Sequence, residues 1–137
     1  MSYKSRYILC VDDDIDDSAL LFDAVKKTDP SMYIVEVHNG EEALIYLNKA
    51  KTFSLLPSLI ILDVNMPRID GKQTLVRIKE DEELKRIPVV IFTTSGNQRD
   101  KLFFAHYGVD LYTKPDRASE YRTLIEQLLK YCRDVIA

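Results

Sequence analysis

Residues 7–21 read YILCVDDDIDDSALL, an apolar run followed at once by Asp12, Asp13, Asp14, Asp16 and Asp17. The run is short and continuously apolar, as a strand covered on both faces is, and the apolar residues beyond the acids resume at helical spacing. Carboxylates this crowded at the mouth of a low-dielectric core repel one another, so a cation has to offset them. The stretch is therefore a strand, a charged turn and a helix, and the fold depends on whether that unit recurs.

It recurs. Apolar runs predict strands over 7–11, 33–37, 59–62, 89–92 and 111–113, four of them too continuously apolar for a one-sided sheet. Helices are expected between and after them, over 16–27, 41–49, 73–79, 98–106 and 119–135. In the last, Tyr121, Leu124, Ile125, Leu128, Leu129 and Cys132 recur at helical spacing and form one core-facing stripe. Alternating strands and helices imply parallel pairing with right-handed crossovers, hence an α/β fold: a doubly wound five-stranded parallel sheet flanked by five helices. Ligands of such sheets bind beyond the carboxyl ends of the strands, where the strand order reverses.

Composition narrows the classes. At 137 residues, 46% hydrophobic and 30% charged, the chain fits a single globular domain over 1–137. The net charge of −3, with acids and bases interspersed, offers no basic stripe for nucleic acid. Cys10 and Cys132 both lie on apolar positions and read as reduced core thiols, and no segment approaches membrane-spanning length, so a cytoplasmic protein is expected. His38 and His106 lack metal-ligand partners and read as surface or structural residues.

Chemistry-bearing residues fall at one edge of the expected sheet. The aspartates follow strand one, Asp63 in LIILDVNMPRIDG ends strand three, Thr93 and Thr94 in PVVIFTTS end strand four, and Lys114 in LYTKP ends strand five. Carboxylates, a hydroxyl and an ammonium together suit a hard divalent cation, Mg2+ or Mn2+, and a phosphoryl group. Each feature has a plainer reading. Acids at a helix start suit the macrodipole, and Asp14, Asp16 and Asp17 are assigned to that role, one of them as the cap. DDDIDDSALLFD also imitates a calcium loop, but Asp17 stands where glycine is wanted. Asp63 is hardest to explain away, because an acid ending Leu59-Ile60-Ile61-Leu62 is uncommon unless paired or functional.

The order VDDD, LIILDVNMPRIDG, PVVIFTTS, TKP resembles the CheY-like receiver domain of two-component response regulators, over essentially the whole chain. NMPRIDG, FTTS and the KEDEELKRIP connection are further similar to stand-alone regulators associated with bacteriophytochrome kinases. The resemblance implies that Asp63 accepts a phosphoryl group from a sensor histidine kinase or a histidine phosphotransfer protein. Asp12, Asp13, Asp63 and the backbone carbonyl of Asn65 would hold the metal, and Thr93, Thr94 and Lys114 would contact the phosphoryl group. Pro115, in this family usually preceded by a cis bond, would set the turn that aims Lys114, and Gly71 would allow a tight turn before helix three. With no output domain, such a protein would signal by contact with a downstream partner or as a homodimer, without catalysis beyond its own phosphorylation and dephosphorylation.

One position departs from the family pattern. The aromatic ring usual three residues before the lysine is replaced by Leu111, with Tyr112 one residue later, so Tyr112 should face the other side of the sheet unless a bulge intervenes. Phosphorylation would then act through Thr93 and loop movement. Two rival functions stand beside this reading: a haloacid-dehalogenase-type phosphohydrolase with Asp12 as nucleophile, and a degenerate receiver that acts only as an interaction module.

Overall fold

The computed structural model describes residues 7–64, 70–94 and 97–135. The five apolar runs form one sheet: β1 (Tyr7–Val11), β2 (Tyr33–Val37), β3 (Leu59–Leu62), β4 (Val89–Thr93) and β5 (Asp110–Thr113), in the order β2-β1-β3-β4-β5. Every pairing is parallel and in continuous register, for example Val11 with Leu62 and Thr93 with Thr113. β1, β3 and β4 are buried at every residue, which is why they carry no polar alternation. The expectation of four fully covered strands holds for these three. β2 lies at the sheet's edge and leaves Tyr33 and Glu36 exposed, because only one flank of an edge strand is paired.

The connecting helices are α1 (Ile15–Thr28), α2 (Gly40–Thr52), α3 (Gly71–Glu80), α4 (Gln98–His106) and α5 (Ala118–Leu128). Asp14, Asn39, Asp70 and Asn97 cap the first four, each side chain accepting from a backbone N–H in the first turn, worth about 1 kcal/mol apiece. The expected last helix divides: it is α-helical to Leu128 and tightens to 3-10 geometry over Leu129–Val135, as helix ends often do. Its stripe still faces the core.

Alternation along the strands sends side chains into two layers. Leu9, Val11, Ile60, Leu62 and Ile91 pack against α2, α3 and α4, through Leu47, Leu75 and Phe104 among others. Ile8, Cys10, Ile61, Val90 and Phe92 pack against α1 and α5, through Leu21, Val25, Tyr121, Ile125 and Leu128. Cys10 and Cys132 lie in this second layer as buried free thiols, and burial pushes the Cys10 thiol up to about 12, so it stays protonated and unreactive.

The two ends of the sheet differ in chemistry. At the amino end, Tyr7 stacks on Tyr33 (centroids 5.9 Å apart) and meets Tyr46 edge-on, while its hydroxyl donates to the Leu55 carbonyl and accepts from the Tyr46 hydroxyl at 3.0 Å. At the carboxyl end lie the aspartates and Lys114.

Candidate functional site

The backbone ladder itself delivers the functional side chains. One residue past β1, the Asp12 N–H donates to Val37 O at 3.1 Å; one past β3, the Asp63 N–H donates to Val11 O at 2.9 Å; one past β5, the Lys114 N–H donates to Thr93 O at 2.7 Å. Each residue is thus the final rung between two parallel strands, and their side chains converge at the carboxyl edge, beside the point where the strand order reverses between β1 and β3. Thr93 is the last residue of β4 and fully buried; Thr94 follows it and is exposed.

Lys114 answers the crowding of the acids. Its Nζ lies 2.7 Å from Asp12 Oδ2, 2.9 Å from Asp17 Oδ2 and 3.6 Å from Asp63 Oδ2, with the Lys114 side chain 4% exposed. Burial alone lowers an ammonium's pKa; here the hydrogen bonds to Asp12 and Asp17, with the charges of Asp12 and Asp63, overcome it and hold the pKa above the ordinary lysine value. The Asp12 Oδ1 accepts from the Asp14 N–H at 2.9 Å, so both oxygens of Asp12 are oriented.

Carboxylate oxygens of Asp12, Asp13 and Asp63 all lie within 4.8 Å of one another, Asp13 exposed and the other two buried. Three oxygen donors of this charge, without sulfur or imidazole among them, fit a hard divalent cation. Asn65, expected to add a backbone carbonyl, lies outside the described residues, as does the rest of the stretch 65–69.

Three expectations are corrected or refined. Asp17 was grouped with the helix-start acids, yet it reaches Lys114; Asp14 alone is the cap, accepting from the N–H groups of Asp16 and Asp17. Sequence reasoning missed Asp17 because a helix-start acid looks the same whether or not a cation stands over it; the nearest signal was its place in the first helical turn after the strand. Gly71 is needed for a different reason from the one expected. Its φ is not positive, but a Cβ there would lie 2.4 Å from the Asp63 carbonyl oxygen and 2.7 Å from the Val64 Cα, so only glycine lets α3 start against the backbone of β3's end. The Lys114–Pro115 bond is trans rather than cis.

The departure around β5 turns out as the alternation requires. Ile91 pairs with Leu111 and Phe92 with Tyr112 without a bulge. Leu111 packs into the layer of α2, α3 and α4, and Tyr112 into the opposite layer, where its hydroxyl lies 2.9 Å from that of Tyr131. The Tyr131 hydroxyl also donates to Asp110.

Comparison with known proteins agrees with this geometry. Residues 8–126 match the family model of the response regulator receiver domain. Response regulator Rcp1 of Synechocystis sp. is 34% identical over 118 residues, covering 85% of this chain and 80% of that protein. The crystal structure of a phosphorylated cyanobacterial phytochrome response regulator, RcpA, superposes with a TM-score of 0.85 at 30% identity over 96% of each chain. The Mn2+-bound form of Rcp1 gives 0.82 at 29% identity, over 96% of this chain and 97% of the other. The phosphohydrolase alternative is not favoured by any of these matches. A match that begins in β1 and ends in α5 takes in every strand end that converges on Asp63, and the chain belongs to the family of response regulator receiver domains.

Proposed function

We propose that Asp63 accepts a phosphoryl group from a phosphohistidine on a sensor histidine kinase or phosphotransfer protein, and that the modified chain signals through altered protein contacts. The observation that carries this is the Lys114 ammonium, buried beside Asp63 and fixed by Asp12 and Asp17. An Asp63 oxygen forms the new O–P bond as the P–N bond breaks, and the electron pair returns to the imidazole nitrogen. Asp12, Asp13 and Asp63 would hold Mg2+ or Mn2+, which supplies positive charge against the transferring phosphoryl oxygens. Lys114 contributes a donor to those oxygens, and Thr93 a hydroxyl at the end of β4. In this reading residues 1–137 form a single receiver domain in the cytoplasm, with a protein partner or a second copy of the chain as the downstream target. Among the described residues no helix is long and apolar enough to cross a membrane.

Incubation with acetyl phosphate and Mg2+ should add one phosphoryl mass to the intact protein, and Asp63→Asn should remove the addition while its thermal melt stays cooperative. Absence of labelling in the wild type would favour the interaction-module alternative; equal labelling of the variant would place the acceptor elsewhere.

The signal route proposed here runs through Thr93 and the loop after it, since the position three before Lys114 is Leu111 and the Tyr112 ring is engaged on the other face. Tyr112→Ala should therefore leave phosphorylation-dependent partner or dimer affinity intact, and Thr93→Ala should reduce it. Loss of that coupling in Tyr112→Ala, with normal labelling, would make Tyr112 the switch.

A further inference from the structure

Asp17 holds Lys114 without having any part in the phosphoryl chemistry just described. It stands in the first turn of α1 with its side chain 23% exposed, and takes one of the three ammonium donors. Lys114 Nζ stands 3.6 Å from Asp63, beyond hydrogen-bond reach, so a full hydrogen bond to a phosphoryl group there draws the ammonium away from Asp17, and loss of a partner is costly to a partly buried carboxylate.

A second anomaly lies in the same layer. Tyr121, in the first turn of α5, is 1% exposed, and its hydroxyl has no hydrogen-bond partner among the described residues. Such orphaned donors are rare in native proteins and call for an explanation. Burial pushes the Tyr121 hydroxyl up to about 12. The orphan donor and the carboxylate that holds Lys114 stand in the first turns of α5 and α1, which start at the same edge of the sheet and pack together in one layer. The ring of Tyr121 is held edge-on to Phe92, with centroids 6.0 Å apart.

We propose that Asp17 is a positioning residue that exchanges partners: it holds Lys114 while Asp63 is unmodified, and accepts the Tyr121 hydroxyl once Lys114 has turned to a phosphoryl group on Asp63. This inference rests on the phosphoacceptor reading of Asp63. The exchange satisfies the orphan hydroxyl in the modified state and gives Asp17 a replacement donor, so it favours the movement of Lys114 that the phosphoryl group requires. A merely structural Asp17, placed for the helix dipole, would couple to nothing in α5.

The test is a double-mutant cycle read by affinity for beryllofluoride with Mg2+, using the full chain. Tyr121→Phe should weaken binding about tenfold to a hundredfold, the size expected of a hydrogen bond to a charged group, while the melting temperature without beryllofluoride stays at or above the wild-type value. In the Asp17→Ala background the same Tyr121→Phe change should alter affinity by less than about twofold. Asp17→Asn, which keeps the size and removes the charge, repeats the comparison if Asp17→Ala melts early. Wild-type affinity in Tyr121→Phe, or equal weakening in both backgrounds, overturns the exchange. A wild type that binds no beryllofluoride overturns the phosphoacceptor reading instead.

Discussion

Both ends of the sheet bury polar side chains, and they do it in opposite ways. At the amino end, Tyr7, Tyr33 and Tyr46 combine ring contacts with neutral hydroxyl hydrogen bonds, beside the more open Lys51–Asp81 pair at 2.6 Å. At the carboxyl end, one ammonium is set among carboxylates that outnumber it. A neutral network is satisfied once and stays so. A charged one with excess acid has more than one good arrangement, depending on where the cation stands and what else arrives. The lesson is that rigidity and responsiveness have been assigned to opposite ends of the same strands.

That contrast can be broken most directly at Lys114. Lys114→Met leaves Asp12, Asp17 and Asp63 facing one another without their cation, and should cost about 3–5 kcal/mol in denaturant unfolding, the range for removing one partner of a buried pair. Mg2+ should then stabilise the variant more than it stabilises the wild type, because a ligand bound only by the native state acts by mass action. A variant as stable as wild type in the presence of chelator would show that the acids do not share Lys114.

An intermediate effect is expected at the other end. Tyr7→Phe removes a hydroxyl that donates to Leu55 and accepts from Tyr46, for a loss of about 1 kcal/mol. Burial, then the Tyr46 contacts, raise the Tyr7 pKa above the ordinary tyrosine value near 10. A group whose folded pKa is raised gives stability that is full below the unfolded pKa and is lost as pH rises beyond it. Wild-type stability should therefore begin to fall above about pH 10, and Tyr7→Phe should flatten that fall. An unchanged alkaline slope would remove Tyr7 from the account.

The smallest effect belongs to Asp81. The Lys51 ammonium and the N–H groups of Leu84 and Glu83 hold its carboxyl down to about 2. Its contribution is present above the unfolded carboxylate pKa and lost as pH falls through the folded one, so the window lies between about pH 4 and pH 2. Carboxyl titration by NMR should find Asp81 protonating below the ordinary carboxylate range, and Asp81→Asn should lower the neutral-pH melt only slightly, since the pair is open to solvent. A midpoint in the ordinary carboxylate range would mean that the Lys51 contact is not kept in solution.

Much of this was legible in the sequence for a simple reason: strands buried on both faces must be continuously apolar, so an acid at the end of one is conspicuous. That logic located β1 and β3 to the residue and picked out Asp12 and Asp63. It failed where burial is not uniform. β2 carries Glu36 within its run, but the exposure of Tyr33 comes from lying at the sheet's edge, which no local pattern records. Asp17 and Gly71 share that difficulty. The partner of each comes from another strand, Lys114 after β5 and the Asp63 backbone after β3, so their roles exist only once the sheet has assembled.

At Gly71, the spacing between α3 and the Asp63 main chain is set by the absence of an atom. The helix rests with its first Cα against the Asp63 carbonyl, tied by the Gly71 N–H to Val64 O at 3.1 Å, and its second residue, Lys72, holds Asp100 of α4 at 2.5 Å. Three contacts in a row therefore join that main chain to the next helix with no slack for a methyl group between them. In mechanical terms α3 is a lever whose fulcrum is the Asp63 backbone, and its load is the amino end of α4.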